Sequence, residues 1–275
     1  APGNVGFSGT YNPAVNGPGV YTYAILGIAP CLSDAAFVTV TENQQPSAGA
    51  DAVLALCDDS APTALLPLLT GGQAGGTWSA PGGGAFGGTY DPVSHGPGTY
   101  TYTLVGSAPC VNDQATVGVT ENPAPDAGLD GALTVCGNSV ATALLSLIAG
   151  ADGGGAWTAP GGAVFSGTYD PAVDASGAYT YTVSGIAPCV ADQSTVTVTE
   201  NPVPDAGSDG SLTTCSTSAP SGLLAQLTGA QPGGTWTAPG GGAFNGTYDP
   251  AVQASGVYTY TVNGLAPCAA DQATV

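Results

Sequence analysis

The chain has 275 residues, 19 Asp and Glu, one His and neither Lys nor Arg, a net charge of −19. With no cation, no side chain can neutralise a phosphate, which excludes nucleic-acid binding and attraction to an anionic membrane surface. No apolar run approaches the ~18 residues that a membrane-inserted helix needs, yet a hydrophobic share of 43% is too large for a disordered acidic tail.

The sequence starts inside a repeat and reads as a piece of something longer. GVYTYAILGIAPC (19–31) returns as GTYTYTLVGSAPC (98–110), GAYTYTVSGIAPC (177–189) and GVYTYTVNGLAPC (256–268), 79 residues apart each time and without insertion or deletion. Trp78, Trp157 and Trp236 keep the same register, as do Phe7, Phe86, Phe165 and Phe244 and all 12 Tyr. Solenoid periods run to about 50 residues, whereas a unit of 79 can hold a small core of its own. The expected organisation is therefore tandem domains. Pro- and Gly-rich junctions (TENQQPSAGADA at 41–52, TENPAPDAGLDG at 120–131, TENPVPDAGSDG at 199–210) divide the chain into 1–46, the C-terminal part of a repeat; 47–125; 126–204; and 205–275, whose last strand is incomplete.

Within a repeat the elements follow in a fixed order. ALTVC (132–136) and SLTTC (211–215) read as opening strands. The apolar segments ALLPLL (64–69), ALLSLI (143–148) and GLLAQL (222–227) are too short for periodicity to separate a strand from one helical turn. GGTWTAP (233–239) and GGAFNGTYDP (241–250) are short strands bounded by glycines. GVYTYTV (256–262) alternates Tyr258, Tyr260 and Val262 with Thr259 and Thr261, the period of a half-buried strand. DQSTVTVTE (192–200) puts Val196 and Val198 on one face and Thr195, Thr197 and Thr199 on the other. Seven or so short strands with turns every ~8–12 residues predict an all-β chain of tandem β-sandwiches.

DASGAYTY (174–181) resembles the immunoglobulin-type segment in which a Tyr forms the corner entering a core strand. The resemblance implies that Tyr179 is the corner residue and that Tyr181 takes the inward place where an antibody domain has Cys. By the repeat, Tyr100, Tyr102, Tyr258 and Tyr260 join them in the cores with Trp78, Trp157 and Trp236. The cysteines depart from the antibody pattern, so what is implied is an immunoglobulin-like sandwich. The fuller pattern is Cys, L-L-x-x-L, GG-T-W, G-T-Y-D-P, G-x-Y-T-Y-T-V-x-G-x-A-P-C and V-T-E-N-P-x-P-D-A-G. It resembles the tandem immunoglobulin-like or PKD-like repeats of giant surface and secreted proteins of gliding Bacteroidota-type bacteria. That likeness implies export by a type IX route and a role as adhesin or surface filament.

The seven cysteines alternate at spacings of 26 and 53. Pairing across 53 gives one disulfide per domain (Cys57–Cys110, Cys136–Cys189, Cys215–Cys268) and leaves Cys31 to a partner upstream. Each domain could then be oxidised on its own, with roughly 4 kcal/mol from loop closure. Pairing across 26 (Cys31–Cys57, Cys110–Cys136, Cys189–Cys215) would instead cross each junction, and an intermolecular bridge is a further alternative. A zinc site lacks its C-x-x-C and its histidines. Repeated bridges imply an oxidising, extracellular setting.

Nothing in the chain has the pattern of an enzyme. His95 lies in the turn DPVSHGPG and the next copy has Asp174 there; no G-x-S-x-G occurs; the glycine runs at 82–84 and 153–155 precede no Lys. No cofactor is called for. Calcium is the one ligand the carboxylates could build, from Glu121, Asp126 and Asp130 at one junction and Glu200, Asp205 and Asp209 at the next; the alternative reading makes them soluble turn residues. The Thr-rich strand faces fit strand propensity better than ice binding. Asp59-Ser60-Ala61 and Asn245-Gly246-Thr247 are weak glycosylation signals. The expected function is the shaft of a filament or appendage. Its expected partners are identical chains in a multi-chain filament and neighbouring repeats of the same long chain. The alternative is an adhesin holding glycan through many weak contacts, which would require exposed Trp157 and Tyr169 as stacking platforms.

Overall fold

A computed structural model describes residues 1–275, which divide into two compact units, Ala1–Pro123 and Ala124–Val275. Neither contains an α-helix; strands, bends and four short 3-10 turns make up the chain.

The repeat at 126–204 is complete and serves as the pattern. Its larger sheet has five strands, in the order Gly131–Cys136, Asp192–Asn201, Gly177–Val183, Ala156–Thr158 and Val164–Phe165. The opening strand runs parallel to the closing strand, Cys136 opposite Asn201, and all other pairs are antiparallel. A second sheet of two strands, Thr142–Ala143 and Thr168–Tyr169, lies across the core. This is the immunoglobulin-like sandwich that the strand count and the tyrosine segment predict. The period-2 alternation determines which face turns inward: Tyr179, Tyr181 and Val183 are buried while Thr180 and Thr182 are half-exposed. Ser194, Val196 and Val198 do the same on the closing strand.

The core holds Tyr179, Tyr181, Trp157, Tyr169, Val196, Val198, Leu144 and Ile148. The segment ALLSLI resolves into one 3-10 turn, Leu144–Leu147, with Leu144 fully buried. Leu144 opens the turn and Ile148 caps its C-terminal end, and both pack into the core. Tyr179 Oη donates to Ala175 O at 2.6 Å, four residues upstream, which is the corner geometry; Tyr21, Tyr100 and Tyr258 repeat it on Gly17, Gly96 and Ala254.

The repeat at 47–125 has the same five-strand and two-strand sheets around Tyr90, Tyr100, Tyr102 and Leu65. Trp78 is half-buried there, whereas Trp157 and Trp236 are buried. The segment 1–46 supplies a single hairpin, Gly19–Ile25 with Asp34–Val40, and a short 3-10 turn, and Tyr23 is 70% exposed where its counterpart Tyr102 is 1%.

In 205–275 the expected opening strand at 211–215 does not form a ladder. The closing strand ends at Thr274, and Gly210 N donates to Thr274 O. The register that pairs 131–136 with 196–201 would ask residues 211–215 to pair beyond Val275.

Candidate functional site

The structure overturns the expectation of one disulfide inside each domain. Cys136 bonds to Cys268, with Cα atoms 5.0 Å apart and a sequence separation of 132. The bridge joins the end of one sandwich's opening strand to the Ala-Pro-Cys turn of the sandwich that follows it. Neither Cys136–Cys189 nor Cys215–Cys268 is formed; Cys57 and Cys189 are also in disulfide form, while Cys31, Cys110 and Cys215 are free, so Cys57–Cys110 is absent too. The reason is topological. The opening strand is parallel to the closing strand, so Cys136 is carried to the end of the sheet where the chain leaves through Asn201. A domain's own Ala-Pro-Cys turn follows the tyrosine strand, which is antiparallel to the closing strand, and therefore lies at the opposite end. Spacing alone carries no record of which end of a sandwich a cysteine occupies.

Each half of this site is built locally. Ser139 N donates to Cys136 O at 2.9 Å and Cys136 N to Ser139 Oγ at 3.1 Å, a closed turn that sets the sulfur at the strand's end. Cys268 N donates to Leu265 O at 2.8 Å, and a Cβ on Gly264 would meet Cys268 O at 2.6 Å, so only glycine lets this turn close so tightly. Asn201 Nδ2 donates to Ala266 O at 2.8 Å, hooking the turn onto the end of the closing strand. Cys268 Sγ rests 3.5 Å from Asn201 O. Sequence reasoning did not single out this asparagine; its recurrence in each TEN was the available signal. In the unit Ala1–Pro123 the same hook recurs, with Asn43 Nδ2 donating to Ala108 O at 2.6 Å and Cys110 Sγ 3.3 Å from Asn43 O.

The junction carboxylates do other work than cluster. Tyr90 Oη donates to Glu121 Oε1, and Tyr169 Oη to Glu200 Oε2 at 2.9 Å. Burial, then the bond to the carboxylate, pushes both phenols well above the ordinary tyrosine value. Asp126 and Asp205 accept from the N–H groups of Gly128 and Gly207, and Asp130 and Asp209 from those of Thr195 and Thr274. Asp192 accepts from Ala127 N at 2.7 Å. No three acidic, His or Cys side chains come together as a group that could hold a metal ion. In a chain without Lys or Arg, backbone N–H groups and phenols take the place of cations as donors to carboxylates.

His95 serves its turn: Nδ1 accepts from Asp91 N at 3.0 Å. Trp157 is 7% exposed and Tyr169 fully buried, so neither offers a face to a sugar. Beside the bridge lies a cleft of about 310 Å³ whose lining includes Ser139, Val203, Pro204, Pro267 and Asp271, without a nucleophile–base pair.

No family model and no curated protein matches the chain. Among solved structures it is similar to a three-domain titin fragment, I67–I69, in an E-to-A variant (11% identity, TM-score 0.44, 85% of this chain and 96% of that chain). It is also similar to Drosophila OTK extracellular domains 3–5 (14%, TM-score 0.31, 86% and 97%) and to Sidekick-1 immunoglobulin domains 1–5 (11%, TM-score 0.31, 87% and 62%).

Proposed function

We propose that this chain is a shaft segment of an extracellular surface filament, built from immunoglobulin-like sandwiches whose covalent staples cross the junctions and so limit extension. The observation that carries the reading is the Cys136–Cys268 bridge. A disulfide inside one domain protects that domain; one between successive domains also restrains the joint, which serves a rod under load. Persistent disulfides fit an oxidising compartment outside the cell, and the repeat motifs resemble those of type IX-exported surface proteins. Strict repetition suits length better than recognition, because a specific binding site needs local difference. The adhesin reading loses its sugar platforms with Trp157 and Tyr169 in the core.

The test is electron microscopy of native particles, with and without reductant and with and without EDTA. Thick filaments of several aligned chains that soften in reductant and ignore EDTA are expected. Thin single strands, unchanged by reductant, would overturn the shaft reading, and collapse in EDTA would assign calcium to the junction carboxylates.

A further inference from the structure

The seven cysteines form two series. One ends the opening strands (Cys57, Cys136, Cys215) and the other ends the Ala-Pro-Cys turns (Cys31, Cys110, Cys189, Cys268). Cys136–Cys268 joins a member of each series across a junction. We infer that Cys110 and Cys215 are open halves of that same site, and that each takes a cysteine of the opposite series from a further repeat of this sequence. The inference rests on the shaft reading and extends it from one stapled joint to a continuous line of them.

Both halves are preformed. Around Cys110 the hook is already closed: Cys110 N donates to Ser107 O at 2.9 Å, Asn43 holds the turn, and the thiol lies against Asn43 O as Cys268 lies against Asn201 O. What the completed site adds is an opening-strand cysteine opposite the hooking asparagine, as Cys136 stands opposite Asn201. The strand leading to Asn43, Asp34–Val40, pairs with Gly19–Ile25. Residues 38–43 read VTVTEN, identical to the 196–201 segment that receives the opening strand in the complete repeat.

Cys215 is the complementary half. The turn after it is closed, Ser218 N donating to Cys215 O at 3.0 Å as Ser139 N does to Cys136 O. Its sulfur is exposed, and the segment before it, SLTTC, lies without a ladder. Cys110 thus offers a turn without a strand, and Cys215 a strand end without a turn. Cys31 belongs to the same series as Cys110 and follows the same rule.

The chemistry is oxidative. Two thiols form one S–S bond and give up two protons and two electrons. The acceptor is a small-molecule disulfide or a disulfide-donor oxidoreductase, reduced to two thiols through a mixed disulfide.

The experiment is a disulfide map of the native material. Free thiols are blocked with iodoacetamide before denaturation, and the protein is digested with an Asp/Glu-directed protease, since trypsin has no site. The linked peptides are read by mass spectrometry with the Cys136–Cys268 peptide as internal control. The expected result is loss of blocked Cys110 and Cys215, with Cys215 linked to an A-P-C peptide and Cys110 to an opening-strand peptide. Reduction then distinguishes the source: an unchanged chain mass on a denaturing gel places the partner repeat on the same polypeptide, and a drop in mass places it on a second copy. Blocked Cys110 and Cys215, or links within one series, would overturn the inference. Filaments that persist in microscopy with both thiols blocked would leave the shaft reading standing; bridged thiols in particles that are not filaments would do the reverse.

Discussion

Four different side chains do one job at one position of the repeat. Asn16, His95, Asp174 and Gln253 each accept a hydrogen bond from the backbone N–H four residues upstream, at Asn12, Asp91, Asp170 and Asp249. The position needs an acceptor of the right reach, and the only histidine supplies one. His95→Asp, →Asn or →Gln should therefore leave stability within ~0.5 kcal/mol, whereas His95→Ala should cost about 1 kcal/mol by leaving the Asp91 N–H without its acceptor; urea unfolding of the chain checks both. The phenols predict an alkaline limit. Burial raises Tyr90, Tyr100, Tyr169, Tyr179 and Tyr258 above the ordinary value of 10.0, with Glu121 and Glu200 adding to the shift at Tyr90 and Tyr169. A raised folded-state value means that the neutral form is favoured in the fold. The stabilisation is therefore complete below about pH 10 and is lost as pH rises through the folded-state values. Tyrosinate absorbance and circular dichroism should change together above that pH; titration of these phenols with the fold intact would contradict it.

At the scale of the element, the glycines before each Trp strand decide how closely the chain can cross a ring. A Cβ on Gly155 would sit 2.5 Å from Tyr181 Cζ and 2.6 Å from Thr182 O. Its N–H donates to Tyr181 Oη at 2.8 Å, and that hydroxyl donates to Asp152 O at 2.7 Å. Trp157 packs on the same ring with centroids 5.0 Å apart. Gly155→Ala should push the ring from its place and cost ~1–3 kcal/mol, seen as a lower denaturant midpoint for the unit that carries it. Trp157→Ala removes the ring from the other side and should cost ~3–5 kcal/mol. Equal effects at Gly76 and Gly234, where Tyr102 and Tyr260 take the ring's place, are expected from the same geometry.

At the scale of the whole molecule the staple changes what force can do. The 132-residue separation between Cys136 and Cys268 closes a loop whose constraint on the unfolded chain amounts to about 5 kcal/mol in the entropic model. Fully extended, such a segment would span about 450 Å, at ~3.4 Å per residue. In single-molecule pulling from the chain ends, that length should be hidden while the bridge is intact. Reductant should release it as added unfolding extension, and equal contour lengths with and without reductant would refute the staple.

The sequence by itself determined the repeat, its 79-residue period, the inward faces of the tyrosine and closing strands and the tyrosine corner. These are local: alternation of Tyr and Thr, a Gly before a corner and a Pro-rich junction act within a few residues of chain. Only the tertiary structure decided which cysteines meet. Cys136 and Cys189 lie 53 residues apart and Cys136 and Cys268 lie 132 apart, and the longer distance won. A parallel opening strand brings Cys136 to the end of the sandwich where the next one begins. Nor could spacing tell that Glu121 and Glu200 would turn to buried phenols and the aspartates to backbone N–H groups. A carboxylate's partner depends on which donors the fold leaves unpaired beside it, and in a chain without cations those donors are known only once the strands are in register.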